Sequence, residues 1–173
     1  MALGTSDVAA TTGDKGTNTS PLRPATSENA LWIMGGRMTV KVTGADSRGA
    51  MSILEMQVGA GFQAPLHAHA GVEYMQVLDG TAWFEIDGQR FEGGPGTAVV
   101  IPAEADESWG AVTDARLLIV STPAGLDAVF SAFGEPARDR GLPPPPDAPP
   151  SPEAMAQMAA LGEKHGLYLR MQA

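Results

Sequence analysis

The sequence predicts an all-β domain, a sandwich or small barrel of short antiparallel strands, with helices confined to the C-terminal end. Two observations carry that expectation. From Ala30 to about Thr122 the chain falls into short runs of alternating character, divided by Gly, Asp and Pro. Half-buried strands joined by tight turns produce that pattern. The composition agrees, with 21 Gly, 14 Pro and only 6% aromatic residues among 173. Such a turn-rich balance suits sheets better than a helical bundle.

The segments follow in order. Residues 1–28, "MALGTSDVAATTGDKGTNTSPLRPATSE", are mostly Ala, Thr, Gly, Ser and Asp. So little apolar side chain cannot offset the entropy of ordering the backbone, and a flexible tail is expected. A barrel is expected over residues 29–123, with strands in "ALWIM", "RMTVKVT", "AMSILEMQV", "PLHAHA", "EYMQVLD", "TAWFEID", "QRFEG", "TAVVIP", "ESWGAV" and "RLLIVST". In "SILEMQV", Leu54, Met56 and Val58 share one face and Glu55 and Gln57 the other, the period of a pleated strand. Asp87-Gly88 separates "WFEI" from "QRFE" and predicts a hairpin, since a type I′ turn needs positive φ.

Residues 124–173 read as a helical extension. Leu126, Val129, Phe130 and Phe133 recur at helical spacing, with Gly134 as a stop. The stretch "RDRGLPPPPDAPPSP" is an extended proline-rich linker. Ser151-Pro152-Glu153 then starts a second helix that Gly166 ends. Both helices are expected to pack on the outside of the barrel; the other placement is a lid over its mouth.

Charge and composition exclude several classes of function. A formal net charge of -9 argues against nucleic acid, whose phosphates need clustered Lys and Arg. No apolar run is long enough to span a bilayer, and the N-terminus lacks the pattern of a secretory signal. There is no cysteine, so thiolate and disulfide chemistry are excluded. A cytoplasmic protein with a small-molecule substrate, and no nucleic-acid or membrane partner, is expected.

The chemistry concentrates in "GFQAPLHAHAGVEYMQVLDG", residues 61–80. Side chains at i and i+2 of a strand share a face, so His67 and His69 point together. A turn through Gly71 returns Glu73 toward them at the start of the next strand. Two imidazoles and a carboxylate form the 2-His-1-carboxylate set, which suits one divalent transition metal (Fe, Mn, Ni, Co or Zn). His165 is the remaining histidine of three, and it is expected to be solvated.

This segment resembles the cupin superfamily. The family's first motif, G-x5-H-x-H-x3-4-E-x6-G, is met at Gly61, His67, His69, Glu73 and Gly80. The second, G-x5-P-x-G-x2-H-x3-N, is met at Gly96 and Pro102, but Glu104, Glu107 and Ala111 stand where glycine, histidine and asparagine belong. Over residues 30–135 the chain is similar to small single-domain quercetin-dioxygenase-like bacterial cupins. The resemblance implies a double-stranded β-helix, or jelly-roll, barrel that holds a metal on His67, His69 and Glu73, and frequently a homodimer. The fourth ligand position falls on Glu107. Three roles are open to it: a ligand, a general acid or base beside the ion, or a surface acid in "EADES".

An ion facing an apolar interior would be a pocket as well as a catalyst. Met38, Met51, Met75, Val77, Phe84, Trp109 and Leu118 are the candidate lining. The resemblance implies oxygen chemistry on an enolic or aromatic substrate, with Glu73 as proton acceptor. Two alternatives stand beside it. One is redox-neutral Lewis-acid chemistry (isomerase, cyclase or lyase), with Glu107 moving the proton. The other is a module that binds a metal or small ligand without turnover.

Overall fold

The structure, a computed structural model, describes residues 30–145 and 151–170. The tail expected at 1–28 lies outside the described residues. Ten strands run up to Thr122: β1 (Ala30–Ile33), β2 (Gly36–Val42), β3 (Ser52–Val58), β4 (His67–His69), β5 (Val72–Asp79), β6 (Ala82–Ile86), β7 (Gln89–Gly93), β8 (Ala98–Ile101), β9 (Glu107–Ala111) and β10 (Ala115–Thr122). They are followed by α1 (Leu126–Phe133), β11 (Glu135–Pro136), α2 (Pro152–Lys164) and β12 (Leu167–Leu169).

Two antiparallel sheets form the jelly-roll barrel. One has the order β11-β1-β2-β3-β10-β5-β8, the other β12-β4-β9-β6-β7. Local chemistry explains the elements. Asp87 and Gly88 have φ of 48° and 77°, and the register Ile86↔Gln89 closes the expected two-residue hairpin. Ser151 caps α2, its Oγ accepting from the Ala154 N–H at 3.1 Å, with Pro152 at the first helical position where no N–H is needed. Gly166, at φ 78°, turns the chain out of α2 and into β12.

Burial follows the pleat. In β3, Leu54, Met56 and Val58 are buried and Ile53, Glu55 and Gln57 are not. In β10, Leu117 and Ile119 face the core. Leu118, paired with Gln76 and Glu55, is on the opposite face. Met51 precedes buried Ser52, has the outward phase, and is exposed. The sequence expectation that Leu118 and Met51 line an interior pocket is therefore corrected: both fall on the wrong parity of their strands. Met75, Val77 and Phe84 are fully buried in the main core cluster.

The neighbouring leucines of β10 give a direct test of this phase. Leu117→Ala should cost about 3 kcal/mol, the range for emptying a core site, whereas Leu118→Ala should cost less than about 1 kcal/mol. Urea unfolding of both variants measures the difference.

Candidate metal centre

The site begins with a three-residue strand. His67 and His69 of β4 share a face and Ala68 points away from it. The register His67↔Glu107 sets β9 beside β4, and directly opposed side chains in an antiparallel pair lie on one face. Glu107 is thereby delivered to the histidines by backbone pairing. Glu73 arrives from the other sheet, at the start of β5. Gly71 makes that approach possible, because a Cβ there would collide with the Thr122 carbonyl.

The side chains converge tightly. Glu107 Oε1 lies 3.2 Å from His69 Nε2 and 3.6 Å from His67 Nε2. Glu73 Oε2 lies 3.1 Å from His69 Nε2. Glu73 and Glu107 are each only 2% exposed, His67 8% and His69 6%. Ligand atoms of His67, His69 and Glu107 all lie within 4.8 Å of one another. Glu73 stands at the edge of this group, in contact with His69. The structure thus brings all four predicted ligands together, with Glu107 inside the three-residue group and Glu73 beside it.

The polar atoms test whether a cation fits. His67 Nδ1 donates to the Pro65 carbonyl at 2.8 Å, which fixes the tautomer and leaves its Nε2 lone pair for the cluster. His69 Nε2, Glu73 Oε2 and Glu107 Oε1 are buried without a hydrogen-bond partner. They are close to one another but not aligned as donor and acceptor. Buried polar atoms are nearly always paired, and a positive ion would satisfy all three. Two imidazoles with hard carboxylate oxygens are a donor set for a divalent transition metal. The residues fit such an ion.

Electrostatics of the metal-free cluster point the same way. Burial, with the Glu107 charge adding to it and His69 opposing it, pushes the Glu73 carboxyl up to about 8. Burial lowers His67 below the usual 6.5, with Glu107 opposing and His69 adding to the shift. Burial also works to lower His69, but the carboxylates of Glu107 and Glu73 outweigh it and hold that imidazole above 6.5. Without an ion, the cluster reduces its buried negative charge by taking up protons.

A cavity of about 810 Å³ opens onto this group, lined by His67, His69 and Glu73, by Glu135 and Arg138, and otherwise mainly by apolar residues. Of the predicted lining, Met38 and Trp109 are on its wall. Met75, Val77 and Phe84 belong to the surrounding core instead. The wall also includes Trp32, Phe62, Phe130, Phe133, Met155, Met158, Leu167 and Leu169, which the sequence reading missed. Both helices were expected outside the barrel, yet each lends residues to this cavity. Their apolar stripes were legible, but a stripe does not reveal which surface it covers. His165, expected in solvent, is half-buried in a second cavity of about 360 Å³ that also touches His69.

Residues 52–122 match the family model for the cupin domain. No curated protein matches the chain in sequence. Among solved structures, an RmlC-like cupin from Shewanella frigidimarina is 16% identical with a TM-score of 0.57, over 63% of this chain and 96% of that one. Oxalate decarboxylase OxdC from Bacillus subtilis is 20% identical with a TM-score of 0.49, over 62% of this chain and 32% of that one. Salicylate 1,2-dioxygenase from Pseudoaminobacter salicylatoxidans is 17% identical with a TM-score of 0.47, over 60% and 28%. At these identities the likeness bears on fold alone, and the first comparison carries it. The matched model and the fold together support the cupin superfamily.

The raised carboxyl and imidazole make the metal-free protein sensitive to pH. His67, lowered when folded, works the other way while the unfolded imidazole still titrates around 6.5, and is neutral in both states only above about pH 7.5. Glu73 and His69 hold their protons more tightly when folded, so their stabilisation is lost as pH rises through their folded values, about 8 for Glu73. Thermal midpoints in chelator should therefore fall from pH 7.5 to 8.5, and the fall should be smaller in Glu73→Gln. An unchanged slope in that variant would remove Glu73 from the account.

Proposed function

We propose that this protein is a mononuclear metal enzyme that oxidises a small aromatic or enolic molecule, as a quercetinase-like dioxygenase does. The observation that carries the reading is the position of the histidine–carboxylate group on the wall of an apolar cavity of about 810 Å³. That volume is typical of a small-molecule site, and a few convergent polar groups in an apolar wall are its usual chemistry. Trp32, Phe62, Trp109 and Phe130 offer aromatic faces to a flat ring.

His67, His69 and Glu107 would hold the ion. When bound, it supplies Lewis acidity toward a substrate oxygen and, for a redox-active metal, access to O₂. The chain's residues do the rest. The aromatic wall orients the ring and excludes water from the cluster. Glu73 lines the cavity and would take the enol or phenol proton. It is suited to that step because nearby positive charge restores the carboxylate that burial disfavours.

A second reading has one observation in its favour. Glu73 Oε2 and Glu107 Oε1 both lie close to His69 Nε2, at 3.1 and 3.2 Å. Two carboxylates around one imidazole can remove a proton from one substrate atom and return it to another, as isomerisation or cyclisation requires.

An oxygen electrode separates these readings. Protein loaded in turn with Fe, Mn, Co and Ni should consume O₂ when given a panel of flavonols and related enols. Conversion under nitrogen with no uptake would transfer the assignment to the redox-neutral reading; ligand binding with no product would make the protein a binding module. Independently, Glu107→Gln should weaken metal retention by about tenfold or more, and Glu107→His should restore it. Elemental analysis after dialysis reports both. Full metal content in Glu107→Gln with activity lost would make Glu107 an acid–base residue.

A further inference from the structure

Strand β12 lies beyond residues 52–122, which the family model matches, yet it pairs directly with the histidine strand. Its register is Leu167↔His69, Tyr168↔Ala68 and Leu169↔His67. Opposed residues of an antiparallel pair share a face, with Cβ atoms roughly 5 Å apart. Each leucine therefore stands beside one imidazole. Both line the large cavity, whereas Tyr168, on the alternate phase, lines the smaller one.

We infer that β12 is a wall of the ligand site, and that Leu169 and Leu167 are specificity-determining residues selecting flat, apolar molecules. This rests on the large cavity being the ligand site, as the proposed function has it.

The wall has a fixed position relative to the cluster. The Ala70 N–H donates to the Gly166 carbonyl at 2.8 Å, and the Arg170 N–H donates to the Leu66 carbonyl at 2.9 Å. These bonds bracket the three paired residues on both sides. Arg170 Nε also meets Asp106 Oδ1 at 2.7 Å, and Asp106 immediately precedes Glu107. The leucines are thus tied to both strands that carry the His67–His69–Glu107 group. A ligand reaching that group must fit a gap that the backbone sets.

The chemistry of the wall is selective by omission. A leucine side chain offers no hydrogen bond, so a polar substituent placed against it is desolvated without a partner. Added bulk meets a strand that cannot retreat without breaking its pairing to β4. Discrimination by such a wall is on the order of tenfold to hundredfold per group. Leu167 is buried in the core and its replacement would disturb packing. Leu169 is only half-buried, so it is the position to vary.

The test uses the full chain and a neutral apolar probe, N-phenyl-1-naphthylamine, titrated by fluorescence. Co²⁺ affinity is followed by absorption and folding by circular dichroism. Leu169→Trp should weaken probe binding at least tenfold while leaving Co²⁺ affinity within threefold. Leu169→Ala should bind the probe at least as tightly as the unaltered protein, and Leu118→Trp, on the outer face, should change neither. If Leu169→Trp fails to fold, Leu169→Phe replaces it, with at least a threefold loss of probe binding expected.

Probe binding unchanged in the folded bulky variant, or absent from the unaltered protein, would overturn the proposal. So would a folded Leu169→Trp that loses Co²⁺ together with the probe, since the strand would then support the ligands rather than select the substrate. The reaction assignment fails separately. With no oxygen uptake on any compound but the probe pattern intact, the wall stands and the dioxygenase reading falls.

Discussion

The burial of two carboxylates against two imidazoles is the constraint on which the rest of this structure depends. Glu73 and Glu107 are each 2% exposed, and an isolated carboxylate removed from water costs far more than a domain can spare. Neutral imidazoles cannot balance two negative charges. Something positive must enter the cluster, and only protons or a cation are available. The raised Glu73 carboxyl, at about 8, is the proton solution. A divalent ion is the alternative, and it also engages the unpaired atoms His69 Nε2 and Glu107 Oε1. The two solutions compete, so metal binding at this site would be linked to proton release.

Backbone pairing explains why the cluster forms where it does. The histidines and Glu107 belong to adjacent strands of the five-stranded sheet, joined at the register His67↔Glu107. That pairing needs no inter-sheet packing to set three of the groups. The proline at 65 contributes through its carbonyl, which takes the His67 Nδ1 proton. The H-x-H spacing alone would permit either ring nitrogen to face the cavity. The carbonyl removes that freedom, and the imidazole is held ready as a donor of one lone pair.

Much of this is legible in the sequence alone. Alternation placed Leu54, Met56 and Val58 inside, and turn chemistry located the Asp87-Gly88 hairpin and the start of α2. The H-x-H-x3-E spacing locates the cluster, because it is a local property of two strands joined by one short turn. What failed was non-local or a matter of parity. Leu118 and Met51 are apolar residues of the outward phase, so apolarity alone misplaces them. Met75, Val77 and Phe84 have the right parity, but they belong to the core cluster and not to the cavity wall. The contributions of Phe130, Met158 and Leu169 depend on how the C-terminal extension folds back. The three-residue β12 is too short to leave a period, so nothing in the sequence marks its pairing with β4.

The division of the cluster between sheets separates its possible roles. His67, His69 and Glu107 are carried by β4 and β9, which are hydrogen-bonded neighbours. Glu73 belongs to β5 in the seven-stranded sheet, so its 3.1 Å approach to His69 is maintained by the short turn through Gly71 and by side-chain packing, with no strand pairing between β4 and β5. Packed sheets can shift slightly against each other, but paired strands hold their register. A resident ion needs constant distances, and the three groups of the single sheet provide them. A proton carrier must instead approach and withdraw. The one carboxylate attached to the opposite sheet is the group placed to do so, and this geometry supports the proposed division, with binding given to Glu107 and proton transfer to Glu73.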